Sequence, residues 1–114
     1  MKNLREIALA PCDRAAILEA TRLLKERFAV EEVILFGSKA RGDDDPESDI
    51  DLLVVTSRRF STAERHAVMD ALFPIQIEYD VVLSPVVVAT EDWRSGILSV
   101  LPIHTEVDEQ GVAL

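Results

Sequence analysis

A chain of 114 residues, 48% hydrophobic and 29% charged, can close one two-layer core and has no room for a catalytic domain beside a separate recognition domain, so a single domain over 1–114 is expected. Its net charge of −9 excludes a broad basic surface for gripping a nucleic-acid backbone, but not a nucleoside triphosphate that arrives with its own cations. Cys12 is the only cysteine, which excludes an intrachain disulfide and a thiolate metal cluster, and no apolar run approaches the roughly 20 residues that span a bilayer; both features fit a cytoplasmic chain.

Asp13 is a plausible N-cap for a helix running to about Phe28, because Ala16, Ile17, Ala20, Leu23, Leu24 and Phe28 recur at helical spacing. Glu32 to Phe36 is β-rich and apolar, and Gly37, Ser38 and Gly42 then break it, so a strand is expected to deliver the chain into a tight turn. Asp43 to Ser48 is acidic, contains Pro46 and reads as a surface loop. Asp49 to Val55 resumes as a second strand that pairs with the first. Thr62 to Phe73 carries an imperfect helical pattern, which Pro74 is expected to end, with a third strand from about Ile75 to Leu83. Beyond Pro85, Val86 to Ala89 reads as strand or linker, Thr90 as the cap of a short helix, and Val100 to Gln110 as another helix ending at Gly111. The apolar stretch Ile97 to Ile103 fits core or interface equally. The pattern predicts an α/β (α+β) architecture, a small mixed sheet with helices packed on it.

Asp49 and Asp51 are separated by one residue on a predicted strand, so their carboxylates share a face. Two adjacent like charges need solvent or a bridging cation, and a hard, oxygen-seeking ion such as Mg²⁺ suits them. Alone, Asp-x-Asp reads more readily as a solvated strand start, but Ile50, Leu52, Leu53, Val54 and Val55 put this pair at the mouth of a buried element. Gly37 lacks the Cβ that would obstruct an approaching phosphate, and the Ser38 hydroxyl adds a donor, although a lone Gly-Ser also serves as an ordinary turn. No G-x-x-x-x-G-K-[ST] occurs, so P-loop hydrolysis is not indicated.

Taken together, Leu35-Phe36-Gly37-Ser38-Lys39-Ala40-Arg41-Gly42, an acidic spacer and Ser48-Asp49-Ile50-Asp51-Leu52-Leu53-Val54 resemble the minimal nucleotidyltransferases of the polymerase-β-like superfamily, with its pattern G-S-x-A-R-G and then S-D-x-D-L-x-V. The resemblance covers Val33 to Val55 and implies the nucleotidyltransferase fold. It further implies two Mg²⁺ ions on Asp49, Asp51 and a third acid from a later strand. Asp80 is the best match for that acid, with Glu78 as its substitute or helper. In such a site Gly37 and Ser38 would hold the β- and γ-phosphates of ATP while an acceptor hydroxyl attacks the α-phosphorus. Arg41 falls at the family's arginine and would steady the phosphates or the turn, or else pair with Asp43 or Asp44.

Minimal members resemble the antitoxin half of bacterial toxin–antitoxin pairs, which implies a helical HEPN ribonuclease as partner and AMP as the transferred group. A silent nucleotide-binding antitoxin and an enzyme for a small hydroxylated molecule are the alternatives. Homo-oligomerisation stays open. Arg58 and Arg59 read as solvated cations, His66 and His104 as structural, and Trp93 as a packing anchor.

Overall fold

The unbroken apolar run after Asp51 is explained by a strand covered on both faces. The structure, a computed structural model, describes residues 1–43 and 46–114. In chain order the elements are β1 (Lys2–Asn3), α1 (Pro11–Arg27), β2 (Val30–Phe36), α2 (Ser38–Arg41), β3 (Ile50–Thr56), α3 (Thr62–Tyr79), β4 (Leu83–Ala89), α4 (Thr90–Ser95), α5 (Pro102–Gln110) and β5 (Val112–Ala113), with 3₁₀ turns at Leu4–Glu6 and Ile97–Val100. The strands form one mixed sheet in the order β1-β5-β2-β3-β4. The pairs β2–β3 and β2–β5 are antiparallel, whereas β3–β4 and β1–β5 are parallel.

On β3, side chains alternate between two cores. Ile50, Leu52 and Val54 pack with Ala16, Ile17, Ala20 and Leu24 of α1 and with Val68, Leu72 and Ile75 of α3. Leu53 and Val55 face the other way, onto Ile34, Phe36, Val88, Trp93 of α4 and Val107 of α5. Burial on both faces removes the polar alternation that marks a one-sided strand. Leu98 and Ile103 pack against the second core while Ile97 and Val100 stay exposed, so the Ile97 to Ile103 stretch divides between core and surface.

Three expectations are corrected. The first helix begins at Pro11 with Ala10 as N-cap, and Asp13 sits inside its first turn, bound to Lys39. The helix expected to stop before Pro74 continues to Tyr79. Pro74 costs it a hydrogen bond, but Leu72 and Ile75 on either side are buried and the Tyr79 hydroxyl donates to Glu19 Oε2 of α1 at 2.8 Å, so packing overrides the local break. The third strand therefore begins at Leu83 rather than Ile75. Asp80 is the left-handed cap of α3, with φ 53° and ψ 51°. The two short strands β1 and β5 have no signal in the sequence, and Cys12 is exposed.

β4 is a sheet edge, and alternate residues along its open side are blocked. Leu83 N–H donates to Gln76 Oε1 at 2.9 Å, Pro85 has no N–H, and the Val87 carbonyl accepts from Arg65 Nη1 at 2.9 Å. Such a protected edge resists the addition of a further strand.

Candidate active site

The antiparallel register of β2 and β3 makes Phe36 and Asp51 direct partners, so the residue after Phe36 meets the first acid inside β3. That residue is Gly37, held at φ 76° and ψ −159°, a conformation only glycine adopts without strain. The Asp51 carboxylate occupies the space a Cβ on residue 37 would take. α2 follows at once: Ala40 N–H and Arg41 N–H both donate to the Gly37 carbonyl at 3.1 Å, and Gly42 closes the turn in the left-handed region. As the first residue of α2, Ser38 has an N–H with no acceptor inside the helix. Its hydroxyl donates to Ser48 Oγ at 3.3 Å, joining the turn to the residue before Asp49.

Asp49 is exposed, one residue ahead of β3. Burial first, then the charges of Asp49 and of Glu106 on α5, push the Asp51 carboxyl above its ordinary range, while Arg41 opposes them. Arg41 adopts the ion-paired alternative: its Nε lies 3.2 Å from Asp43 Oδ2 and its Nη1 2.9 Å from Glu106 Oε1. Asp44 lies outside the described residues.

The structure brings Gly37, Ser38, Asp49, Asp51 and Arg41 to one end of the sheet. Asp80 enters this region as the cap of α3 and not as a strand residue. Asp80 lines a cavity of about 310 Å³ with Asp13, Glu47, Ser48, Val81 and Val82, and the charges acting on Asp51 come from elsewhere. Glu78 is an exposed residue near the end of α3. On the parallel neighbour β4, the residue in register with Asp51 is Ser84, so the position beside the pair on the later strand holds a hydroxyl and no acid. Among the described residues no three His, Cys, Asp or Glu side chains converge as a metal cage. Two carboxylates on one face still suit Mg²⁺, which keeps several waters and takes substrate phosphate oxygens as its remaining ligands.

Sequence reading missed three contributors. Lys39, in the turn itself, is 1% exposed and its Nζ lies 2.8 Å from Asp13 Oδ2, pinning α2 to α1. Glu106 and Ser84 reach the site from elements whose placement only the fold decides. Arg58 binds Glu64 and Arg59 binds Asp92, both beyond the far end of β3, which by strand rise is about 20 Å from the acids. His104 stacks on the buried Trp93, with centroids 4.4 Å apart, and pairs with Asp108, while His66 is exposed on α3.

A family profile described as a nucleotidyltransferase domain matches residues 17–94, more than half the chain. The chain belongs to the nucleotidyltransferase-domain family. A relative from Methanocaldococcus jannaschii that carries the provisional name protein adenylyltransferase is 34% identical over 104 residues, covering 90% of this chain and 97% of that protein. A second so named, from the same organism, is 33% identical over 69 residues, 60% of this chain and 68% of its own length. In fold, the nucleotidyltransferase chain is similar to a toxin–antitoxin crystal structure with AMP-PNP (TM-score 0.60, 20% identity, 89% of this chain and 71% of the other). It is likewise similar to a complex of tri-AMPylated Shewanella oneidensis HEPN toxin with MNT antitoxin (TM-score 0.55, 17% identity, 88% and 69%). The chain is an enzyme of the nucleotidyltransferase class, and its substrate is a nucleotide.

Proposed function

We propose that this nucleotidyltransferase is a cytoplasmic antitoxin that moves AMP from ATP, with Mg²⁺, to a hydroxyl of a helical HEPN-type partner. The observation that carries the reading is the Phe36–Asp51 register, which sets a glycine turn directly against paired carboxylates. The names of the M. jannaschii relatives and the composition of the solved toxin–antitoxin complexes support the choice of a protein acceptor.

Asp49 and Asp51 would hold Mg²⁺, which supplies charge neutralisation on the triphosphate and acidifies the acceptor hydroxyl. The Ser38 N–H and hydroxyl, beside Gly37, hold the terminal phosphates and keep the α-phosphorus in line with the acceptor. The acceptor oxygen forms its bond to the α-phosphorus, the bond to the departing pyrophosphate breaks, and the hydroxyl proton passes to solvent. Arg41 is released from Glu106 to meet phosphate oxygens.

One observation favours a second reading, neutralisation by binding alone: Ser84 stands beside Asp51 where a third acid would strengthen metal binding. Co-expression with a HEPN-type toxin separates the two. Under the transfer reading, Asp49→Asn with Asp51→Asn abolishes rescue of growth although the complex still forms. Under the binding reading, rescue persists.

A further inference from the structure

Arg41 is held between two carboxylates from different parts of the chain. Its Nη1 donates to Glu106 Oε1 of α5 at 2.9 Å, and its Nε donates to Asp43 Oδ2, just beyond its own helix, at 3.2 Å. The Arg41 and Glu106 side chains are each 36% exposed, so this pair is open to a soluble anion. Both charges act on the Asp51 carboxyl, in opposite directions, which places the pair beside the acids.

The two partners differ in their freedom to move. Glu106 belongs to a seated helix: its neighbour Val107 is buried in the core that holds Ile34, Phe36 and Leu53, Gly111 N–H closes α5 onto the Val107 carbonyl at 2.8 Å, and His104 stacks on the buried Trp93. Arg41 instead ends the one-turn helix α2, next to Gly42, and extends a long side chain to carboxylates open to solvent. An ion pair this exposed is weak, and a phosphate group of higher charge competes with it for the guanidinium.

We propose that Glu106 is an exchange partner for the phosphates: it holds Arg41 between turnovers, yields it to an arriving triphosphate, and takes it back so that pyrophosphate can leave. The inference rests on the triphosphate site of the proposed function. There Gly37 and Ser38 hold the terminal phosphates, and Arg41 closes the same turn, so the groups it meets are those that depart together as pyrophosphate. An arginine with no competing carboxylate would grip product as firmly as substrate, and release would slow. Once Arg41 has swung away, Glu106 stands uncompensated near Asp51, and that repulsion draws the guanidinium back when the phosphates go. Glu106 acts through Arg41 and is a positioning residue.

Calorimetric titration of the full chain with three probes tests this: ATP with Mg²⁺, pyrophosphate with Mg²⁺, and AMP. Because the competing pair is exposed, Glu106→Gln is expected to tighten ATP and pyrophosphate about fivefold. AMP lacks the terminal phosphates, and its affinity should not change, which also shows that the variant keeps its site. In an Arg41→Ala background the same substitution should gain less than about twofold, since the group being exchanged is gone. Equal tightening in both backgrounds, or of AMP as much as ATP, means that Glu106 acts only by its bare charge and overturns the proposal. Unchanged pyrophosphate affinity in Glu106→Gln overturns it as well. If the wild-type chain binds neither ATP nor pyrophosphate, the triphosphate reading fails and the proposal with it; if it binds both and Glu106→Gln matches it, the proposal alone fails.

Discussion

The Asp51 carboxylate rests against the backbone of Gly37 so closely that no side chain on residue 37 could share the space. Turn and acid are thereby coupled. Gly37→Ala has two costs, a positive φ that alanine resists, about 1–3 kcal/mol, and displacement of Asp51 from its position. Nucleotidyl transfer should fall by about 10²-fold or more. Urea denaturation and labelled-AMP transfer measure the two effects separately.

Asp51 makes the site's stability pH-dependent. Its carboxyl is raised above 3.8 by burial, Asp49 and Glu106, so the folded chain holds that proton more firmly than the unfolded chain. Stability therefore falls as pH rises from 3.8 through the folded value. Asp51→Asn should flatten this slope, and Mg²⁺ should offset it in the wild type at neutral pH. Urea midpoints measured from pH 3.5 to 7, with and without Mg²⁺, test this; identical slopes in both proteins contradict it.

Lys39 and Asp13 form an ion pair whose side chains are 1% and 9% exposed. Lys39→Met leaves the Asp13 carboxylate in the interior without this ammonium, and about 3–5 kcal/mol of stability should be lost. Lys39→Met combined with Asp13→Leu should recover most of the loss, because the pair is then replaced by apolar volume. Thermal melts of the single and double variants decide this.

Glu64 binds Arg58 and the Ser61 cap at the start of α3, which brings its carboxyl down to about 2 from 4.5. The stabilisation is fully present above pH 4.5 and disappears as pH falls through about 2. An NMR titration of Glu64 should show the low midpoint, and Arg58→Ala should bring it back toward the ordinary value.

The motif region was legible because its chemistry is local. Gly37, Ser38, Asp49 and Asp51 lie at the facing ends of two strands adjacent in sequence, and the alternation rule alone brings the carboxylates to one face. Asp80 shows the limit of that reading. By local rules Pro74 ends a helix, a strand follows it, and the acid before Val81 is a strand residue; the packing of Leu72, Ile75 and Tyr79 decides otherwise. Glu106 was invisible for a different reason. It lies 65 residues from Arg41, and only the folding of α5 across the sheet joins them. β1 and β5 are two residues each, too short for periodicity to register.

Ser84, in register with Asp51, marks where an added acid would have most effect. Ser84→Asp should raise affinity for Mn²⁺ about tenfold, since ligand charge sets the strength of such sites. It should also lower stability without metal, because a further carboxylate joins a like-charged pair. Metal titration by calorimetry and melting without metal test both halves.

The most direct test of the transferase account is the intact mass of a HEPN-type partner after incubation with the enzyme, Mg²⁺ and each nucleoside triphosphate, beside an Asp49→Asn, Asp51→Asn control. The account predicts a metal-dependent gain of one or more AMP groups from ATP that the control abolishes. An unchanged partner mass despite tight complex formation would contradict it.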